Sequence, residues 1–176
     1  TVIQTYLLKN NFASIHAQTI KTSGFGVTPE GYDLTFDILK GKFPKYSIQN
    51  NSFNKSGTAD GELVGGNLAL IYALLGTKYS FDFKDKILFI EDIGEKFYAL
   101  DRMIMSLKLA GVFRKIKGLI VGGMTLMEDE KENMNYEESF DEFSYKLIAE
   151  RISKYDFPVI FGFPNGHIYD NRPIII

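Results

Sequence analysis

The apolar and polar positions along the chain alternate between short apolar runs and longer stripes at helical spacing. Val2, Ile3, Tyr6 and Leu7 recur at i, i+4 intervals and predict a helix at the start. Phe12 to Gln18 (FASIHAQ) reads as a strand, and a short helix is expected near Tyr32 to Leu39. Tyr46 to Gln49 and Gly61 to Val64 read as short strands flanking a polar loop over 50–60. Gly66 and Asn67 offer an N-terminal cap for a helix over Leu68 to Leu75, which Gly76 closes. The run Lys86 to Glu91 (KILFIE) predicts a strand that ends in a carboxylate. A helix from about Glu95 to Ala110 follows, with Phe97, Leu100, Ile104 and Leu107 on one core-facing stripe and Gly111 at its end. Lys117 to Gly122 (KGLIVG) is apolar at successive positions, as a strand buried on both faces should be. A helix near Glu138 to Lys154, with Phe140, Phe143, Leu147, Ile148 and Ile152 facing inward, leads to the apolar strand PVIFGF at Pro158 to Phe163.

Repeated strand-helix-strand units predict an α/β fold with a mixed, largely parallel sheet and flanking helices. With 176 residues, 45% hydrophobic and 24% charged, the chain can bury one core, and it has no internal repeat or linker. A net charge of -2 gives no basic footprint, so no nucleic-acid partner is expected. The absence of cysteine excludes disulfides, thiolate metal sites and a cysteine nucleophile. No run approaches the roughly 18 apolar residues of a membrane span and no signal peptide opens the chain. The expectation is therefore a cytoplasmic protein without a membrane partner. The chain opens at Thr1 inside a helical pattern and stops on Ile174 to Ile176, and the expectation is that sequence is missing at both ends.

The candidate chemistry is concentrated in PVIFGFPNGH, Pro158 to His167, where a strand breaks at Phe163-Pro164 and delivers a histidine on a Pro-Asn-Gly turn. Such a turn holds an imidazole rigidly yet accessibly, and ligands in α/β sheets gather at the carboxyl ends of strands. His167 is the candidate general base. Glu91 ends KILFIE in the same way and is the candidate orienting carboxylate, with Asp92 and Glu95 as alternatives within one turn and a salt bridge to Arg102 or a lysine as the competing role. His16 lies mid-strand, where a structural, hydrogen-bonded ring is expected. A metal site made of His16, Glu91 and His167 would need all three to converge. The acidic stretch Glu128 to Glu142 reads as a solvated loop entering a helix N-terminus. LVGGNL, Leu63 to Leu68, resembles a phosphate cradle but lacks the Lys-Ser/Thr of a P-loop and the three-glycine dinucleotide spacing. A tight turn with close backbone approach explains it equally well, and no cofactor or metal is expected. No nucleophile is evident: no serine sits in a GxSxG elbow, and Ser23 in TSGFG has no strand-to-helix context.

Four motifs in order, GELVGGNLALIYALLGT (61–77), KILFIEDIGEKFYALDRMIMSLKLAGVF (86–113), KGLIVGG (117–123) and PVIFGFPNGH (158–167), closely resemble the C-terminal domain of the LD-carboxypeptidases, serine peptidases of murein recycling, and of their microcin-immunity relatives. The resemblance implies a swivelling β/β/α-like C-terminal domain over 1–176, preceded by the tail of a serine-bearing N-terminal domain and truncated at its own C-terminus. It implies a Ser-Glu-His triad split between two domains, with the glutamate at Glu91 and the histidine at His167. Thr1 is similar to the last residue of the family's serine elbow, G-[YF]-S-D-[IVL]-T, which puts the nucleophile about three residues upstream. The implied reaction is release of terminal D-alanine from a murein tetrapeptide, with the present stretch inactive alone. Expected partners are a murein peptide or related small peptide, with room for a homodimer. A microcin-type amide hydrolase, or a non-catalytic binding module on the same fold, are the competing readings.

Overall fold

The computed structural model describes residues 1–18, 28–127 and 140–176. Four parallel strands form the central sheet in the order β2-β3-β4-β5: β2 (Leu63–Asn67), β3 (Ile87–Ile93), β4 (Gly118–Thr125) and β5 (Val159–Phe161). Helices α3 (Leu68–Leu74), α4 (Phe97–Leu109) and α5 (Phe140–Ile152) connect them. Each crossover returns the chain to a parallel neighbour, as strand-helix-strand units require. A second, antiparallel pair joins β1 (Ile15–His16), which lies between α1 (Val2–Lys9) and α2 (Pro29–Leu39) in the chain, to β6 (Ile174–Ile175).

Strand alternation explains why the apolar runs are continuous. Leu88 and Ile90 of β3, with Leu119 and Val121 of β4, enter the main core beneath the helices. That core also takes Leu100, Ile104 and Leu107 of α4 and Ile148 and Ile152 of α5, all almost fully buried. Phe89 and Ile120 point the other way, into a smaller cluster with Phe163, Ile174 and Ile176. Ile174 and Ile176 are thus packed against the sheet, and the Ser14 and Ile176 backbones exchange hydrogen bonds at 2.6 and 2.8 Å. The β1–β6 ribbon, the segment around Tyr46 and Ile48, and Leu8 of α1 cover this face.

The expected element bounds require several corrections. The strand expected over Phe12 to Gln18 shrinks to Ile15–His16, since only those residues find partners in β6. Tyr46 to Gln49 forms no strand. Its alternation is real, but Tyr46 is used for a T-shaped contact with Phe163 at 5.6 Å and a hydrogen bond from its hydroxyl to the Pro173 carbonyl at 2.6 Å. The helix expected near Tyr32 starts earlier, at Pro29, where Thr28 caps it by accepting from Gly31 N at 3.2 Å. Phe143, expected inward, is 38% exposed and lies against Phe97 at the rim, while Ser144 and Tyr145 take the inner face of α5. Ser23 and most of the acidic stretch, 128–139, lie outside the described residues.

LVGGN is a strand rather than a phosphate-binding loop. Gly65 has φ +141°, and a Cβ there would come within 1.9 Å of the Phe89 carbonyl oxygen. Glycine at this position lets β2 lie hard against β3, which is the close-approach reading of the motif.

Candidate active site

Glu91 and Asp92 sit at the carboxyl end of β3, which runs two residues past KILFIE. Both are 1% exposed. Adjacent strand residues face opposite ways, so the two carboxylates serve different surroundings. Asp92 turns towards α3. Its Oδ1 accepts from Asn67 Nδ2 (2.7 Å) and Ile93 N (2.9 Å), and its Oδ2 accepts from Ala69 N (2.9 Å). Burial pushes its carboxyl up to about 6, against the pull of these three hydrogen bonds. Asn67 caps α3 with its own Oδ1, accepting from Leu70 N at 3.1 Å, so Asp92 locks the β2–α3 junction.

Glu91 turns the other way and meets the histidine. His167 Nδ1 lies 2.8 Å from Glu91 Oε2. The carboxylate is buried whereas the imidazole side chain is 45% exposed, so the pair is sealed on one side and open on the other. The hydrogen bond to Glu91 raises His167 above its usual range, and burial opposes it. A carboxylate facing Nδ1 takes its N–H and selects the tautomer whose lone pair is on Nε2. This arrangement can accept a proton at Nε2 and stabilise the resulting imidazolium.

The turn reaches Glu91 because β4 carries a bulge. Ile90 pairs with Val121 but Asp92 pairs with Met124, leaving one extra residue in β4 at Gly122-Gly123. The irregularity aims Gly123 N at the Asn165 carbonyl, 3.0 Å away. A Cβ on Gly122 would come within 2.4 Å of that same oxygen, and one on Gly123 within 2.5 Å of Ile168 Cγ2. The glycine doublet that ends KGLIVGG therefore makes room for the histidine turn. Gly166, at φ +122°, places its α-carbon so near Glu91 that a Cβ would stand 3.0 Å from both Cβ and Oε2 of the glutamate.

The other expected residues fall elsewhere. Glu95 is half-buried on the turn between β3 and α4. Arg102, the candidate salt-bridge partner for Glu91 or Asp92, instead lies over the Tyr98 ring at 5.4 Å. His16 has a structural setting, with Nδ1 3.4 Å from Gln4 Nε2 and its ring edge-on to Phe89 at 5.5 Å. Burial lowers its pKa, and Glu91 pulls the other way. Among the described residues, no group of three His, Asp or Glu is arranged to hold a metal. Also among them, no helix is long and apolar enough to cross a membrane.

Comparison with known proteins decides the family. The description "LD-carboxypeptidase C-terminal domain" matches residues 60–176, well over half of the chain. The chain belongs to the LD-carboxypeptidase family. Among its relatives, this LD-carboxypeptidase homologue is 36% identical over 113 residues to a probable murein peptide carboxypeptidase of Bacillus subtilis, covering 63% of this chain and 33% of that protein. It is 28% identical over 128 residues to the microcin C7 self-immunity protein of Escherichia coli, covering 72% of this chain and 35% of that protein. Its fold matches a crystal structure of muramoyltetrapeptide carboxypeptidase from Oxalobacter formigenes with a TM-score of 0.80 at 25% identity, over 99% of this chain and 58% of that one. The chain spans only 33% to 50% of the length of the first curated relatives it matches.

Proposed function

We propose that this chain supplies the glutamate and histidine of a Ser-Glu-His triad in a serine carboxypeptidase that releases the terminal D-alanine of a murein tetrapeptide. The observation that carries the reading is the 2.8 Å contact between His167 Nδ1 and a fully buried Glu91 at the carboxyl edge of a parallel sheet. The nucleophile is a serine of a preceding domain, on an elbow about three residues before Thr1. Thr1 Oγ1 accepts from Asn67 N at 2.9 Å, and Asn67 is the register partner of Glu91. Three residues of chain reach about 11 Å at full extension, and the Thr1 amine lies close enough to Glu91 to feel its charge.

In this mechanism the serine Oγ attacks the amide carbonyl while His167 Nε2 takes its proton. The carbon–nitrogen bond then breaks, and the imidazolium returns that proton to the leaving amine of D-alanine. Water repeats the sequence on the acyl-enzyme and frees the serine. Glu91 keeps the ring in its tautomer and stabilises the imidazolium throughout. Without the serine domain the present stretch has no nucleophile and is expected to release no D-alanine.

The match to the microcin C7 self-immunity protein over 72% of the chain supports a second reading, hydrolysis of a microcin-like peptide amide. Both readings use the same pair. The test is parallel Glu91→Gln and Glu95→Gln substitutions in the full-length protein, assayed for D-alanine release from a murein tetrapeptide. The proposal expects a loss on the order of 10³- to 10⁴-fold, near that seen for triad acids, in Glu91→Gln alone. A harmless Glu91→Gln beside a damaging Glu95→Gln would assign the wrong carboxylate. A wild-type protein inert on the tetrapeptide but active on a microcin-like peptide would favour the second reading.

A further inference from the structure

The turn carrying His167 is held from beneath by a side chain that has so far no part in the chemistry. Asn165 is 0% exposed, although its neighbour His167 faces solvent. Its Nδ2 donates to the His16 carbonyl of β1 at 3.2 Å and to the Arg172 carbonyl at 2.5 Å. Its backbone carbonyl accepts from Gly123 N in the β4 bulge at 3.0 Å, and its backbone N–H donates to the Phe163 carbonyl at 2.8 Å. One residue thus fastens the histidine turn to β1, to β4 and to the returning segment before β6.

The residue type matters. A primary amide offers two N–H donors on one nitrogen, and here both meet carbonyls. An aspartate of the same shape would set a charge against those two carbonyls, and an aliphatic side chain would leave both unpaired. The next two residues convert this anchoring into geometry. Gly166 is pressed to within Cβ-contact distance of Glu91, and His167 follows with its Nδ1 on Glu91 Oε2. Any rotation of the turn about Asn165 is passed directly to the imidazole.

We propose that Asn165 is a positioning residue that fixes the distance and orientation of His167 against Glu91, and that its effect on turnover rests on the catalytic reading of that pair. Asn165 touches neither substrate nor reacting atoms and acts through the imidazole. Among the described residues, the fields of Glu91, Asp92 and His16 reach His167, and substitutions at 165 leave all three in place.

The test uses the full-length protein with Asn165→Ala and Asn165→Ser, alongside Ile104→Ala as a core truncation remote from the turn. Nitrogen NMR of labelled histidine, with the His167 signals assigned by their loss in His167→Gln, reads the ring directly. Folded Asn165→Ala is expected to titrate His167 closer to 6.5 and to weaken its Nδ1–H signal. Its kcat should fall on the order of 10- to 100-fold at nearly unchanged KM, as for a displaced catalytic group. Asn165→Ser keeps one donor and should fall between. Ile104→Ala should lose stability without moving the His167 titration or kcat. An unchanged His167 titration and kcat in folded Asn165→Ala would overturn the proposal, and Asn165→Ser decides by the same readouts if the alanine variant does not fold. If His167→Ala stays active, the catalytic reading fails, and the titration alone still decides whether Asn165 holds the ring.

Discussion

Replacing Gly166 by alanine tests the spacing of the His167–Glu91 pair without removing either group. The added Cβ would stand 3.0 Å from Cβ and from Oε2 of Glu91, where carbon–carbon contacts prefer about 3.5 to 4.0 Å. Relief requires a separation of about 0.5 Å or more between turn and glutamate. Since the pair is at 2.8 Å, that stretches it to about 3.3 Å, beyond the roughly 3.2 Å range of a good hydrogen bond. The backbone adds its own cost, because φ is +122°, where a side chain is strained by about 1 to 3 kcal/mol. The expected result is a stability loss of about 2 to 4 kcal/mol by urea unfolding and a kcat on the order of 10- to 100-fold lower in the full-length enzyme. Gly162→Ala is the internal control: φ is +75° but nothing lies within 4 Å of the new Cβ. It should cost about 1 to 2 kcal/mol and leave kcat near wild type. Full activity in Gly166→Ala would refute the argument that close packing of turn on glutamate sets the catalytic distance.

Gly65→Ala should be far more severe for folding, since its Cβ would meet the Phe89 carbonyl oxygen at 1.9 Å and the obstacle is β3 backbone, which cannot swing aside as a side chain can; a loss above about 4 kcal/mol, or no soluble protein, is expected in expression and urea unfolding. Asp92 is raised to about 6, so its proton is held more tightly folded than unfolded, and stability attributable to it falls as pH rises from about 3.8 to 6. Asp92→Asn removes that slope, so the variant should gain on the order of 3 kcal/mol relative to wild type across this window, offset at every pH by about 1 to 3 kcal/mol from placing an amide N–H against a backbone donor. His167 is raised by Glu91, so the stabilisation it gains from protonated pairing is complete below about 6.5 and is lost as pH climbs through the raised folded value. The stability difference between wild type and Glu91→Gln should shrink above that point, and the acidic limb of kcat/KM, where the base loses its proton, should move to lower pH in Glu91→Gln.

The sequence made the parallel sheet legible because β3 and β4 are buried on both faces, which leaves an uninterrupted apolar signature in KILFI and GLIV. The α4 stripe was equally clear, with Phe97, Leu100, Ile104 and Leu107 all buried. What covers the second face was not legible. The β1–β6 ribbon is two residues wide and joins Ile15–His16 to Ile174–Ile175 across almost the whole chain, so no local period announces it. Tyr46 to Gln49 misleads for the converse reason, since its alternation reflects packing on Phe163 rather than a ladder. At the site, Glu91 and His167 could be named from their positions at strand ends. The choice between Glu91 and Asp92 could not, because it depends on which face of β3 each residue takes. Asn165 was missed although it stands within the quoted turn, since burial of a turn asparagine is invisible without the β4 bulge and the β1 carbonyl it meets. The signal available was the Gly122-Gly123 doublet, which marks a strand that another backbone approaches closely.

The most direct test of the central claim is D-alanine release from a murein tetrapeptide by the full-length protein and by its His167→Ala variant, measured side by side with folding verified for both. The account predicts turnover by the wild type and a fall in kcat on the order of 10⁴-fold or more in the variant, with substrate binding largely kept. A His167→Ala enzyme within a few fold of wild type would contradict it and leave the Glu91–His167 contact as a structural ion pair.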